Sequence, residues 1–205
     1  MAKIISVKIE YRTNPIGIET QRPRFSWEYS QEINLMQKYY RVLVASKPEY
    51  LTVELADKWD SGQVKSSVSL NIEYKGKPLK SCELCYVKVL TQTTCGNIES
   101  DIYTFEMGLF EKDWNISWRT CPLTATGAAI AFRKNIVLPA DKKVERARAY
   151  VCGLGYHEFY VNGVKIGDGV LNPVVSDYDK IVYYNIYDIT EHLNEKNAIG
   201  ILAGG

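Results

Sequence analysis

This chain of 205 residues contains little histidine, no marked excess of charge of either sign and no long apolar stretch. Its two histidines, His157 and His192, are too few and too far apart in the sequence to indicate a metal centre or a catalytic triad. No stretch approaches the roughly 20 apolar residues that a membrane-spanning helix requires. The 25 basic and 24 acidic residues nearly balance, so neither nucleic acid nor an anionic membrane is an expected partner.

The first residues also lack the apolar core of a secretory signal, because Ser6 and Lys8 interrupt the apolar side chains there. The five cysteines are odd in number and irregularly spaced, which argues against a disulfide framework and for a reducing compartment. We therefore expect a cytoplasmic protein, or an extracytoplasmic one if a leader has been removed.

Cys82 and Cys85 have the CxxC spacing found in some zinc sites. On a strand, however, positions i and i+3 point to opposite faces. No histidine is near, and only Cys95 could add a third thiolate. We expect free thiols here, buried or half-buried.

The chain is rich in aromatic residues that favour β structure, with fifteen tyrosines and four tryptophans. Apolar residues alternate with polar ones in about seven short runs within residues 1–108, which predicts an immunoglobulin-like or fibronectin type III-like sandwich. Trp27 is expected to fill the core between the two sheets, and Tyr86 to act as a tyrosine corner whose hydroxyl bonds to the upstream backbone. The runs lie at residues 5–9, 25–29, 40–44, 58–60, 70–72, 85–89 and 103–107.

A break in the pattern predicts a linker over residues 109–128, with Trp114 and Trp118 packed at the junction. A second β unit follows over residues 129–205. Within it, Asn162-Gly163 is a strong signal for a type I′ hairpin. A short helical turn is predicted at residues 189–193.

Three acidic residues lie together in the long loop over residues 168–180, namely Asp168, Asp177 and Asp179. Hard oxygen ligands suit calcium, so this group is a candidate for binding calcium or sugar hydroxyls. The alternative is a solvated loop in which aspartate favours turns through its own backbone hydrogen bonds. We assign no catalytic residue.

Several segments, in this order and spacing, resemble the N-terminal portion of bacterial α-L-rhamnosidases. The chain departs from the family pattern at Val174-Val175-Ser176, where a Gly and a Thr are usual, and at Val87, where Trp is common. The matching segments include Arg22-Pro23-Arg24-Phe25-Ser26-Trp27, Trp59-Asp60-Ser61-Gly62, Gly153-Leu154-Gly155-Tyr156-His157-Glu158, Tyr160-Val161-Asn162-Gly163, Val170-Leu171-Asn172-Pro173 and Tyr187-Asp188-Ile189-Thr190.

The resemblance implies a glycoside hydrolase built from modules. A fibronectin-like domain comes first, and a jelly-roll (galactose-binding-like) sandwich follows, which in some members binds rhamnose with a calcium ion. An (α/α)₆ barrel then carries the acids of an inverting hydrolysis. Because this sequence stops inside the jelly roll, we expect non-catalytic accessory domains that are inactive alone.

Two other functions remain open. The chain could be a free-standing carbohydrate-binding module for rhamnose-containing glycans, or a structural sandwich pair that binds a partner. The expected partners are the remainder of the parent enzyme, a rhamnose-containing glycan, and a second copy that pairs through an open face of the second sandwich.

Overall fold

The computed structural model describes residues 2–30, 34–121, 129–141 and 143–204. These residues form an all-β protein, as the alternating sequence pattern predicts. The chain divides into two compact units, residues 1–115 and 116–205. Residues 122–128 of the predicted linker lie outside the described residues. No helical segment in the described ranges is long and apolar enough to span a membrane.

The first unit is a sandwich of two sheets. One sheet has the order β1-β3-β7, and the other has the order β2-β10-β8-β4-β5, with β6 paired to β4 and β9 paired to β8. The strands are β1 (Ile4–Ile9), β2 (Ile16–Ile18), β3 (Arg24–Tyr29), β4 (Gln37–Ala45), β5 (Trp59–Asp60), β6 (Val64–Lys65), β7 (Ile72–Glu73), β8 (Leu84–Thr93), β9 (Gly96–Glu99) and β10 (Tyr103–Met107).

Strand alternation builds the core of this unit. Phe25 and Trp27 on β3 point inward, opposite Val87 and Phe105 from the other sheet, and all four are buried. The ring of Phe25 lies edge-on to that of Phe105, with 5.9 Å between the centroids. The predicted core position of Trp27 is confirmed, since only 1% of its surface is exposed.

The buried side chain of Gln37, on β4, hydrogen-bonds to β3 and to the backbone that follows β6. The side-chain oxygen of Gln37 accepts hydrogen bonds from the indole N–H of Trp27, at 2.9 Å, and from the hydroxyl of Tyr29, at 2.6 Å. Its amide nitrogen donates to the carbonyl oxygens of Ser66 and Val68. Every polar atom of the Gln37 side chain is therefore satisfied, as burial requires.

The tyrosine that ties its ring to the backbone is Tyr74, so the prediction for Tyr86 is wrong. The hydroxyl of Tyr74 donates to the carbonyl oxygens of Lys77, at 2.8 Å, and Lys58, at 3.2 Å, while its ring is buried. Tyr86 lies on the outward side of β8 and is half-buried against a smaller cluster. Alternation along β8 assigns the inward positions to Cys85 and Val87 instead.

The larger sheet of the first unit contains one parallel strand pair, β2 with β10. The N–H of Glu106 donates to the carbonyl of Pro15 at 2.9 Å, and the N–H of Gly108 donates to the carbonyl of Ile18 at 2.7 Å. The first and last strands of the larger sheet are thereby joined directly.

All five cysteines are free thiols. Cys85 is buried, and that burial raises the pKa of its thiol to about 12. Cys82 is not on the strand that the sequence suggested, because it lies in the turn before β8 with a φ of 60°. Cys95 is exposed between β8 and β9.

The second unit has a four-stranded sheet, β11-β16-β13-β14, and a two-stranded sheet, β12-β15. Asn162 and Gly163 join β13 to β14 with positive φ at both positions, which confirms the predicted hairpin. The predicted helical turn is a 3₁₀ turn at Thr190–His192. The strands are β11 (Ile130–Val137), β12 (Arg148–Cys152), β13 (Tyr156–Val161), β14 (Val164–Lys165), β15 (Tyr184–Asp188) and β16 (Lys196–Gly204).

The core of the second unit is smaller and covers its larger sheet unevenly. Buried side chains gather between β13 and β15, with Phe159 and Tyr187 stacked at 5.1 Å between centroids. On β11, Lys134 and Ile136 pair with inward-facing positions of β16, yet both are exposed. The packing expected for Trp118 is wrong, since 65% of its surface is exposed.

Candidate functional site in the second unit

The two sheets of the second unit bring a histidine and a tyrosine together in its interior. Alternation along β13 turns His157 inward beside Phe159, and β15 places Tyr187 opposite. The hydroxyl of Tyr187 lies 3.3 Å from Nε2 of His157. The side chain of Asn172 also hydrogen-bonds Tyr187, and this bond opposes the upward shift in the tyrosine pKa that burial causes.

The same residues attach the long loop after β14 to the sheet. The N–H of His157 donates to the carbonyl oxygen of Asn172 at 2.6 Å. Gly169 packs against the Asn172 side chain so closely that an added Cβ would lie 2.0 Å from Nδ2. Glycine is thus required at position 169 for Asn172 to hold this place.

Burial lowers the pKa of His157, which favours the neutral ring. Its Nδ1 has no hydrogen-bond partner among the residues that the structure describes, and it faces Gly153, where an added Cβ would lie 3.5 Å away. Since only 6% of His157 is exposed, its ring does not present itself to a ligand in solution, and its bond to the loop is made by the backbone N–H.

The structure places the predicted site residues Asp168, Asp177 and Asp179 in the exposed loop. The carboxylate of Asp177 pairs with the Lys180 amine at 2.7 Å. Its carbonyl accepts hydrogen bonds from the N–H groups of Lys180 and Ile181, a turn of the kind that aspartate favours. Across the ranges that the structure covers, no group of three or more His, Cys, Asp or Glu side chains could hold a metal ion. Binding of calcium or sugar by the three aspartates stays a prediction.

A polar group that sequence reasoning missed lies on the outer face of the four-stranded sheet. Glu158 accepts hydrogen bonds from the Tyr160 hydroxyl, at 2.6 Å, and from the Lys165 amine, at 2.5 Å. These bonds lower the pKa of Glu158. Tyr160 lies over Gly200, where an added Cβ would be 3.5 Å from its own Cβ. The spacing of Tyr156, Glu158 and Tyr160 at every second position was the sequence pattern that could have indicated this shared outer face.

Both units match known family models. Residues 4–111 match the Rha78A-like, N-terminal immunoglobulin domain. Residues 142–205 match the alpha-L-rhamnosidase N-terminal domain.

The chain belongs to the α-L-rhamnosidase family. Its two units correspond to the N-terminal region of the family, in the order that the sequence resemblance predicts.

Individual rhamnosidases are similar to this chain over nearly its full length. An α-L-rhamnosidase of Formosa agariphila is 39% identical over 226 residues, a match covering 97% of this chain and 24% of that protein. The solved α-L-rhamnosidase of Dictyoglumus thermophilum is 36% identical, with a TM-score of 0.89 over 99% of this chain and 25% of that one. That of Aspergillus terreus is 28% identical, with a TM-score of 0.80 over 100% of this chain and 24% of that one. The chain thus spans about a quarter of the rhamnosidases that it matches.

Proposed function

We propose that this chain is the non-catalytic N-terminal accessory region of an α-L-rhamnosidase, which removes terminal α-L-rhamnose from glycans. One observation carries the proposal: both units match rhamnosidase N-terminal domains in order, while the chain spans only 24% of a curated relative. The remainder of the parent enzyme is then the partner of this chain and the part that performs hydrolysis.

The charges within the described residues support an accessory role. Inverting glycoside hydrolysis needs two carboxyl groups about 6.5–9.5 Å apart on either side of a bound sugar. Several carboxylates here are instead held by cations of the same unit, in arrangements that join neighbouring strands. The pairs are Glu10–Arg24, Asp60–Arg41, Glu83–Lys58 and Glu158–Lys165.

An activity assay on two proteins tests this function. The 205-residue chain should release no nitrophenol from p-nitrophenyl α-L-rhamnopyranoside above the buffer rate, whereas the full-length parent should. Turnover by the chain alone would overturn the accessory role. A parent that is inactive on α-L-rhamnosides of several aglycones would overturn the rhamnosidase assignment.

Binding of a rhamnose-containing glycan is a second candidate function, favoured by the outer face of the four-stranded sheet. Tyr156 and Tyr160 are half-buried there beside the Glu158–Lys165 pair, and sugars bind to aromatic faces bordered by hydrogen-bonding groups. Calorimetry with L-rhamnose, with and without calcium, tests it on the chain and on Tyr160→Ala. A matched variant that replaces Asp168, Asp177 and Asp179 by Asn separates this face from the predicted acidic site. If L-rhamnose gives no heat of binding either with or without calcium, both sites are rejected.

Self-association is the third proposal about partners. The exposed positions of β11 leave one side of the second unit uncovered, and such a sheet face is prone to pairing with another copy. Light scattering coupled to gel filtration should give a mass that rises with concentration. A monomer mass at all concentrations would reject self-association.

We also propose a reducing, cytoplasmic location, because the five cysteines are odd in number and irregularly spaced. Fractionation of the source cells with an antibody to the chain tests this, and recovery outside the cytoplasm would reject it.

A further inference from the structure

The loop between β14 and β15 exposes more aliphatic surface than a solvated loop needs. We call residues 167–183 the apolar loop. Within six consecutive positions, Val170, Leu171, Val174 and Val175 are 82%, 61%, 71% and 56% exposed. Single exposed aliphatic residues are ordinary on protein surfaces, whereas a concentration of them marks an interaction site.

The apolar loop is held in place by hydrogen bonds along its length. Asn172 is bound to His157 at 2.6 Å, as described above. Further on, the Ser176 hydroxyl donates to the carbonyl of Ile181 at 2.6 Å. The N–H of Gly155 donates to the hydroxyl oxygen of Tyr178 at 3.0 Å. These contacts fix the backbone, so the valines are presented outward by a defined structure.

The backbone conformation of Leu171 is a second, independent indication of an interaction site. Its φ is 59°, in the left-handed region, which costs a residue with a Cβ roughly 1–2 kcal/mol. The neighbouring Asn172 is fixed by its contacts with His157 and Gly169. The surrounding structure therefore keeps a leucine in an unfavourable conformation with most of its side chain in solvent, a kind of strain that persists at binding sites.

We propose that the apolar loop is the surface on which this accessory region docks to the remainder of the parent enzyme. The inference rests on the proposed function, and it identifies the residues that make the contact. About three quarters of each matched rhamnosidase lies outside the region that this chain covers, so a large partner accompanies the loop in such proteins.

The chemistry of the apolar loop favours that partner over the other occupants. Exposed Asp168 and Asp179 flank the aliphatic residues in the sequence, while Asp177 is paired with Lys180, so the apolar loop has a net negative charge and favours a partner surface that is apolar and basic. A second copy would bring acidic edges together, which opposes association through this loop. A sugar bound at positions 170–175 would meet aliphatic side chains, whereas sugar sites use flat aromatic rings and hydrogen-bonding groups. The exposed rings of the apolar loop, Tyr178 and Tyr183, lie further along the chain.

Hydrogen–deuterium exchange tests the docking surface in the full-length parent. The backbone amides of residues 170–172, 174 and 175 (position 173 is a proline) should exchange about tenfold more slowly in the parent than in the 205-residue chain, because contact with the partner excludes water. Replacing Val170 and Val174 by Ser in the parent should remove most of that protection. The matched control replaces Val53 and Val68, exposed valines of the first unit, and should leave it unchanged.

Three results would overturn the docking proposal: equal exchange in parent and chain, protection that appears in the chain alone as its concentration rises, and protection that requires added L-rhamnose. The second would indicate a second copy, and the third a sugar site. Rhamnosidase activity is measured on the same parent preparation. If the loop is protected but the parent is inactive, the docking surface is supported and the proposed function is rejected. If the parent is active but the loop is not protected, only the docking surface is rejected.

Discussion

The phenolic oxygen of Tyr187 lies 3.3 Å from Nε2 of His157 in the interior of the second unit. Among the described residues, the groups beside the ring include this hydroxyl, on a tyrosine ring that lies edge-on at 6.4 Å between the centroids, and Gly153, which Nδ1 faces. None of these carries a negative charge at neutral pH, so none compensates a proton on the buried ring. This arrangement explains why the pKa of His157 is lowered.

The stability of the second unit should therefore depend on pH through His157. The pKa of the unfolded histidine is near 6.5 and the folded value is lower. Its contribution is complete above pH 6.5 and is lost as the pH falls from 6.5 towards the folded pKa, because the unfolded chain binds the proton first. We expect urea unfolding midpoints to fall between pH 7.5 and 5.5, and to fall less in His157→Gln. The control His192→Gln should keep the original dependence, and an equal dependence in both variants would contradict the argument.

Replacement of Gln37 by Leu should destabilise the first unit by about 2 kcal/mol. The change leaves the buried indole N–H of Trp27 and the carbonyls of Ser66 and Val68 without the amide that they bind. Chemical denaturation followed by tryptophan fluorescence measures the loss. Gln92 lies on the exposed side of β8, so Gln92→Leu should change the unfolding free energy by less than about 0.5 kcal/mol. Similar losses in the two variants would show that burial of Gln37 is not the cause.

The two tyrosines of the first unit should differ when their hydroxyls are removed. Tyr74→Phe removes the hydroxyl donor of the Lys77 carbonyl, while the Lys58 carbonyl keeps its bond from the Lys77 N–H, and the change should cost about 1–2 kcal/mol. Tyr86→Phe, at a half-buried position, should cost less. Thermal unfolding of both variants in the same buffer makes the comparison, and a larger loss for Tyr86→Phe would contradict the role given to the Tyr74 hydroxyl.

Thiol reactivity should separate Cys85 from Cys95. The thiolate is the reactive form, and burial raises the pKa of Cys85 to about 12. At pH 8, a disulfide reagent should label Cys95 rapidly and Cys85 only after the first unit unfolds. Cys82, Cys121 and Cys152 are only partly buried and can also be labelled, so Cys95→Ser should reduce the rapid phase by one thiol, whereas Cys85→Ser should leave it intact. Rapid labelling of Cys85 in the folded chain would mean that the core opens readily.

Alternating sequence patterns predicted the long strands, because a strand that buries one face must repeat its apolar residues every second position. The runs around Trp27 and Val87 lie within β3 and β8. The Asn162-Gly163 hairpin was also predictable, since its backbone conformation depends on those two residues alone. These features are local, which is why the sequence revealed them.

The short strands could not be predicted in the same way. β2, β5 and β7 contain two or three residues each, too few for a period to appear. Their positions depend on partners far along the chain. Leu70 illustrates this: the apolar pattern included it in a strand, but β7 begins at Ile72 and 61% of Leu70 is exposed.

The polar interior residues were harder still. His157 could be assigned to a strand from its neighbours, but its role depends on Tyr187, thirty positions away in the sequence. Gln37 and Tyr74 gave no signal, because a polar residue is buried only where distant atoms satisfy it. The loop aspartates were visible in the sequence, whereas the exposure of the valines beside them required the fold.

The parallel pairing of β2 with β10 has a mechanical consequence. If tension pulls Pro15 and Gly108 apart, after β1 has separated from β3, it loads the Glu106–Pro15 and Gly108–Ile18 hydrogen bonds along the strand direction. Bonds loaded in this way must break together, whereas bonds at a fraying end break one at a time. The unit should therefore behave as a stiff spacer that resists extension until this one strand pair gives way.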